Sequence, residues 1–309
     1  MLKTKCPICD SLDDYVIVYK SNFSNFDFNS KVFSARRLPD TIHYQIVRCK
    51  NDNLMRSNPI CDRTIADSLY KISSLNYVDQ IENLTSSYLN IIDEVLSVIP
   101  KDAMILEIGC ANGFMLRALL DKGYSNLHGI EPSSDAVSKA DNNVRNKIVV
   151  DFLRDGIYKN KSFDFIFFFQ VFGHIYDPAN FLNICYDLLT PGGFILALDH
   201  DVESLSAKIF REKSPIIDIQ HIYLYSKETI CKLFFKYGFN IIRAYSTPSV
   251  FSLKYLISLI PLLPKKIKLR IFNSKNKIIN LLLGLRIKTH LGNLCILARR
   301  PINNEHLSN

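Results

Sequence analysis

The run Ala103-Met-Ile-Leu-Glu-Ile108, followed at once by Gly-Cys-Ala-Asn-Gly113, constrains this chain more than any other segment. A short apolar run of this kind reads as a buried strand. Gly109 and Gly113 lack a Cβ, so the backbone after the strand can turn tightly and lie against a ligand. Residues 112 to 122 then read as a helix and Leu127-His-Gly-Ile130 as a second strand, ending at Glu131, 24 residues after Glu107. Strand, glycine loop, helix, strand and terminal acid open an α/β sheet whose ligands bind beyond the carboxyl ends of the strands. An acid at this distance can accept hydrogen bonds from a ribose diol. The loop is neither the Gly-x-Gly-x-x-Gly of a nicotinamide site nor the Gly-Lys-Ser/Thr of a phosphate-binding loop.

The alternation continues on both sides. Residues 88 to 99 carry apolar side chains at helical spacing, and Pro100 and Asp102 end that segment. Phe163-Asp-Phe-Ile-Phe-Phe-Phe169 reads as a central parallel strand buried on both faces. Residues 181 to 189 read as a helix, Pro191-Gly-Gly193 as a turn and Phe194-Ile-Leu-Ala-Leu198 as a further strand. Strands alternating with helices imply an α/β fold with a doubly wound, mostly parallel, Rossmann-like sheet. With 309 residues there is room for more than this core, which is expected at 76–246. Residues 1–75 form a Cys-rich region with short alternating runs at Tyr15–Tyr19 and His43–Arg48. Residues 247–309 mix Leu and Ile with Lys and Arg, are broken by Pro261, Pro264 and Gly284, and include a closing strand at Asn293–Arg299.

The segment Ile105-Leu-Glu-Ile-Gly-Cys-Ala-Asn-Gly113 resembles the cofactor loop of the class I S-adenosylmethionine (SAM) dependent methyltransferases. The resemblance continues through Ser162–Ile166, Val171-Phe-Gly-His-Ile-Tyr-Asp-Pro178 and Leu188-Leu-Thr-Pro-Gly-Gly193, and spans about residues 80 to 245. Ala111 stands where that family has a middle glycine, a departure of one methyl group. The resemblance implies SAM as cofactor. It places Glu107 and Gly109 at the methionine part with Cys110 in the same loop, Gly113 near the ribose, and Glu131 on the ribose hydroxyls. It further places Asp151 and Phe152 near the adenine and Gln170 at the methionine or acceptor side. The family often carries Glu-His where this chain has Gly173-His174, so that acid's role is absent at this position.

Methyl transfer from a sulfonium is accelerated largely by alignment of the acceptor with the methyl group. A base is needed only when the acceptor must lose a proton. His174 is the first candidate, since a neutral imidazole accepts a proton near pH 7, and a loop histidine bonded to backbone is the alternative. His221, within Asp218–Ser226, competes for the role, and His200 and Asp201 at the end of the fifth strand also point towards the cleft.

Four of the eight cysteines lie in the first 61 residues. Cys6-Pro-Ile-Cys9 can hold one edge of a tetrahedral metal site, but Cys49 is followed three residues later by Asp52 rather than by a second cysteine. The segment Arg48–Pro59 resembles the zinc-binding front module of some bacterial methyltransferases, notably those acting on sugars. That resemblance implies structural zinc on Cys6, Cys9 and Cys49, with Asp52 as an oxygen ligand or Cys61 folding back in its place.

The net charge of +8 is uneven: Thr229 to Asn304 holds 14 Lys or Arg and no acid, so the remainder carries +8 − 14 = −6. A basic part on an acidic body points to an anionic partner such as lipid headgroups, a phosphorylated glycan carrier or nucleic acid. Nucleic acid is the weakest of these, because the basic stretch lacks interleaved aromatics for base stacking. The N-terminus shows no apolar signal segment, and the longest central uncharged run, Phe165 to Tyr176, is too short to span a bilayer. A cytoplasmic chain with peripheral contact at an anionic membrane face is therefore expected. The expected activity is SAM-dependent methylation of a small molecule or glycan, with a sugar or surface-glycan precursor foremost. O-methylation of a quinone-like or other lipid-soluble acceptor is one alternative, and a non-catalytic SAM-binding or nucleic-acid-associated module is another.

Overall fold

The computed structural model describes residues 1–23, 41–72, 81–260, 263–274 and 276–302. The expected boundary at 75/76 and Pro261 lie outside the described residues. The chain begins with β1 (Tyr15–Tyr19), β2 (Ile46–Cys49), β3 (Met55–Ser57) and α1 (Arg63–Lys71). It continues through α2 (Ile81–Leu96), β4 (Ile105–Ile108), α3 (Phe114–Asp121), β5 (Leu127–Ile130), α4 (Ser134–Ser138), α5 (Asn142–Arg145) and β6 (Ile148–Val149). Next come β7 (Phe163–Phe169), α6 (Pro178–Leu188), β8 (Leu189–His200), α7 (Leu205–Phe210), β9 (Tyr223–Leu224) and α8 (Lys227–Lys236). β10 (Asn240–Ser252), α9 (Leu253–Leu259), α10 (Lys265–Phe272), α11 (Lys277–Leu283) and β11 (Arg286–Arg299) complete it.

The central sheet has seven strands in the order β10-β11-β8-β7-β4-β5-β6. The five from β8 to β6 are parallel, and β11 and β10 add antiparallel at one edge. This is the doubly wound, mostly parallel Rossmann-like fold that the alternation implies. Phe163, Phe165, Ile166, Phe167 and Phe168 of β7 are buried on both faces, as a central parallel strand requires. One apolar layer packs α2 and α3 against the sheet, and the other packs α6 and α8 against its opposite face.

Several boundaries differ from the sequence expectation for local reasons. The helix after the glycine loop starts at Phe114 rather than Asn112, because Gly113 is left-handed at φ 70 and sits at its N-cap. Helix α6 starts at Pro178, whose missing N–H costs nothing in a first turn, while Asp177 accepts from the Asn180 amide at 3.0 Å. The expected turn at Pro191–Gly193 is a bulge in β8: Leu189 pairs with Phe163, and pairing resumes at Phe194 opposite Phe165. Helix α2 begins at Ile81, seven residues before Tyr88, with Asn83, Leu84 and Ser87 already buried.

The Cys-rich region forms a second sheet, β1-β2-β3-β9, whose last strand comes from the segment after β8. The Ser57 amide donates to Ile222 O at 2.8 Å and its hydroxyl to His221 O at 2.9 Å. The front region thus grips the backbone of one candidate base and of the residue after it. Arg56, fully buried, donates to Thr4 O and Leu12 O and stacks over Tyr15, tying the first residues onto this sheet.

At the other edge β11 runs from Arg286, not Asn293, and pairs along its length with β10. Because Asn293 lies opposite His200, residues 286–292 extend past the carboxyl end of β8. That overhang carries α9, α10 and α11 to the end of the sheet where α/β ligands bind. Among the described residues no helix is long and apolar enough to cross a membrane.

Candidate functional site

A cavity of about 650 Å3 opens beyond the carboxyl ends of β4, β5, β7 and β8, a size typical of small-molecule sites. The glycine loop forms one wall. Gly109 has φ +73, and a Cβ there would drive into the Val171 side chain. Gly113 has φ +70 and lies where a Cβ would come within 2.9 Å of Ile148. Ala111 also adopts a left-handed conformation, φ 51, where glycine is favoured. Its amide donates to Glu131 Oε2 at 2.9 Å, and the Ser133 amide donates to Glu131 Oε1 at 2.9 Å. Two amides therefore fix the carboxylate that directly follows β5.

Glu107 is the third residue of β4 and is buried. Burial, and secondly repulsion from Glu131, push its carboxyl well above the usual carboxylate range. Burial also raises Glu131, against the pull of its two amide donors. Two acids converging in one cavity favour a ligand with positive charge or hydroxyl donors. Glu107 Oε2 and Gln170 Oε1 are buried acceptors without a hydrogen-bond partner among the described residues. Gln170, at the end of β7 with φ 56, donates through Nε2 to Asn293 Oδ1 at 3.2 Å. These orphaned acceptors and the cradle at Gly109 fit the amino, sulfonium and ribose groups of SAM.

Glu107, Gly109, Glu131, Asp151, Phe152 and Gln170 all line the cavity. Cys110 and Gly113 are not among the lining residues. The Cys110 thiol turns into the core, where a Cβ on Gly129 would meet it at 2.7 Å. Gly113 instead lets the start of α3 approach Val144 and Ile148. Asp151 is held by Arg154 at 2.8 Å, which keeps its carboxyl below the usual range, and Lys71 lies 5.9 Å from the Phe152 ring centroid.

Three histidines, His174, His200 and His221, also line the cavity and meet there. The His174 and His221 rings are 4.7 Å apart and the His200 and His221 rings 5.1 Å apart, centre to centre. His174 Nδ1 lies 3.1 Å from Gln220 O and 3.0 Å from the Tyr70 hydroxyl. A carbonyl only accepts, so Nδ1 carries the proton in that bond, and Nε2 is the basic nitrogen. Asp201 does not share this cavity: it forms a bridge with Tyr225, and its carboxylate accepts from the Glu203 amide at 2.9 Å.

Two participants were not singled out from sequence. Tyr70 is the last aromatic of α1, and nothing in its neighbours marks it. Asp199 is buried at the end of β8 and accepts from the Gly173 amide at 2.5 Å and the His200 amide at 2.7 Å. Burial raises its carboxyl to about 7. An acid closing a buried apolar strand is the same signature that marks Glu107 and Glu131, so Asp199 was findable.

In the front region Cys6, Cys9, Cys49 and Asp52 place one ligand atom each within 4.8 Å of one another. Cys9 Sγ and Cys49 Sγ are 3.5 Å apart, Cys6 Sγ and Asp52 Oδ2 3.5 Å, and Cys49 Sγ and Asp52 Oδ2 3.8 Å. Tetrahedral bonds of zinc to sulfur set ligand separations of about 3.8 Å, so the donor set fits that ion. The two halves are equivalent knuckles. The Asp10 amide donates to Cys6 O and the Asn53 amide to Cys49 O, and Asp10 and Asn53 both have φ 61. Burial pushes the Cys6 thiol up. Cys61 is not in the cluster: its thiol lies 3.2 Å from the Tyr176 hydroxyl, because the chain has already left the knuckle for α1.

The family model described as a methyltransferase domain matches residues 81–244, just over half of the chain. No curated protein matches the chain in sequence. A protein of Bacillus halodurans assigned as a methyltransferase is similar in structure, with TM-score 0.50 and 14% identity over 70% of this chain and 99% of its own. A chain in the complex of the Haloferax volcanii Trm112 methyltransferase activator with a methyltransferase gives TM-score 0.49 and 18% identity, over 74% of this chain and 95% of its own. A SAM-dependent methyltransferase of Thermotoga maritima gives TM-score 0.46 and 18% identity, over 72% and 94%. With its matched domain and its Rossmann-like sheet, the chain belongs to the methyltransferase domain family and is a class I SAM-dependent methyltransferase.

Proposed function

We propose that the chain methylates a sugar of a surface-glycan precursor. The observation that carries this reading is the polar cluster on the cavity wall formed by Tyr70, His174, His200, Asp218, Gln220 and His221. Such a set suits a polyhydroxylated acceptor, since each hydroxyl needs a donor or acceptor when it leaves water.

Bound SAM supplies an electrophilic methyl group on a positively charged sulfur. Glu107 and Gly109 hold the methionine part, Gly113 shapes the turn near the ribose, Glu131 accepts from the ribose hydroxyls, and Gln170 faces the reacting end. Asp151 and Phe152 flank the adenine, and Cys110 serves through its backbone alone. His174, with Nδ1 donating to Gln220 O, takes the acceptor's proton at Nε2 or orients the acceptor, and His221, its ring beside that of His174, competes for either role. Zinc on Cys6, Cys9, Cys49 and Asp52 would be structural, because four protein ligands leave no open position. It would stiffen the front region, 1–75, against the core, 76–246, while Phe251, Leu256, Ile260, Thr289 and Asn293 of the last region, 247–309, line the cavity.

Phe251, Leu256 and Ile260 also line the cavity, which favours a second reading with a lipid-soluble phenol as acceptor. Labelled methyl transfer from SAM to nucleotide sugars and lipid-linked sugars, run beside quinol precursors, separates the two. Incorporation into sugars alone is the expected result. Incorporation into quinols alone would overturn the sugar reading, as would glycans of a knockout that lose no CH2.

A further inference from the structure

Helices α10 and α11 carry apolar side chains that are exposed among the described residues. On α11 Ile278 is 68% exposed and Leu281 73%, and Leu282 is also exposed, while Leu283 alone of its described side chains is buried. On α10 Ile267 and Leu269 are exposed between Lys266 and Arg270. Across the cavity mouth α7 exposes Leu205 and Ile209 while its Ser206 and Phe210 line the cavity. Scattered apolar residues are normal on a surface, but a run of large ones on consecutive turns marks a covered face.

The charge around this face chooses what covers it. From Thr229 to Asn304 there is no acid, and the insertion between β10 and β11 is the densest part of that basic stretch. A second copy would set two cationic faces together, which like-charge repulsion opposes. An anionic bilayer offers headgroups to the lysines and acyl chains to the leucines at once.

We infer that α10 and α11 dock this chain onto an anionic lipid surface, so that the cavity draws its acceptor from the membrane. The position of the insertion supports this. The β10–β11 overhang carries it past His200 to the cavity mouth, where Leu256 and Ile260 of its first part form the wall. A lipid-anchored acceptor would pass from the bilayer along that apolar wall to the three histidines. The inference builds on the proposed acceptor only in this last step, since docking itself needs no catalysis.

The test is flotation of the full chain with vesicles of phosphatidylcholine alone, or of equal parts phosphatidylcholine and phosphatidylglycerol, at low and high salt. Wild type is expected to float only with the anionic vesicles, and less at high salt. Ile278→Asp/Leu281→Asp and Lys266→Glu/Arg270→Glu are each expected to lower partitioning about tenfold or more. These positions are exposed, so circular dichroism and SAM affinity should match wild type. Unaltered partitioning in both variants would overturn the inference, as would no flotation of wild type. A stable dimer by light scattering that Ile278→Asp/Leu281→Asp dissolves would overturn it too, assigning the face to a second copy. Loss of SAM binding with flotation intact would instead count against the functional reading and leave the docking surface standing.

Discussion

The Gly173 amide donates to Asp199 Oδ2 at 2.5 Å, and a Cβ at position 173 would lie 3.3 Å from both oxygens of that carboxylate. Class I methyltransferases often carry Glu where this chain has Gly173. Here the space is filled from the neighbouring strand by Asp199, which also holds the His200 amide. Gly173 and Asp199 therefore work as a pair that sets the turn bearing His174.

Burial raises the Asp199 carboxyl from 3.8 to about 7, so between those values the folded chain keeps a proton that the unfolded chain has released. Folding stability attributable to this group falls as pH rises through that window and is level above it. Asp199→Asn does not ionise. Relative to wild type it should gain stability from about pH 4 to pH 7, by on the order of 4 kcal/mol. Urea unfolding at several pH values measures the difference, and a pH-independent gap would contradict the assignment.

Gly109→Ala should lower SAM affinity about tenfold or more, because the left-handed backbone is strained and the new methyl displaces Val171. Gly123→Ala is the control. It has φ +89 but nothing within 4 Å of its Cβ, so it should cost about 1 kcal/mol of stability and leave SAM affinity unchanged. Equal SAM affinities in the two variants would show that the loop is not the cofactor wall.

The parts of this site that could be read in advance share one property: their signal is local. Glu107, Gly109 and Glu131 stand out because buried strands and left-handed glycines are confined to short windows, and Phe163–Phe169 is apolar enough to be central without knowing its neighbours. The β10–β11 hairpin was legible only in its last seven residues. Its two strands pair across more than thirty residues of basic insertion, and the overhang is half-exposed, so no periodicity marks it. Tyr70 reaches His174 from 104 positions away, a contact made by the front sheet joining β9. The cysteine pair was visible from spacing, whereas the choice between Asp52 and Cys61 needed the equivalent knuckles at Asp10 and Asn53.

His174→Ala and His221→Ala should each lower kcat about 100-fold or more, if the acceptor must lose a proton, with SAM affinity unchanged. Tyr70→Phe should fall between them and wild type, because the Gln220 carbonyl still holds His174 Nδ1. Retention of kcat in both histidine variants would assign the cluster to packing alone.

The purified chain should carry about one zinc per molecule by elemental analysis, with the ion lost in Cys6→Ser. Asp52→Cys should hold zinc more tightly against a chelator, since a fourth thiolate is the softer ligand. Chelation of wild type should lower Tm by about 5 °C or more. A chain free of zinc under reducing, metal-supplemented conditions would mean that the knuckles hold their shape without it.

The cavity between Glu107 and Glu131 as the SAM site is tested most directly by calorimetric titration of SAM into wild type and Glu131→Ala. One molecule should bind per wild-type chain, and affinity should fall about tenfold or more in the variant, which removes the half-buried carboxylate proposed to accept from the ribose hydroxyls. Equal affinity in both proteins, or no binding to wild type, would contradict it.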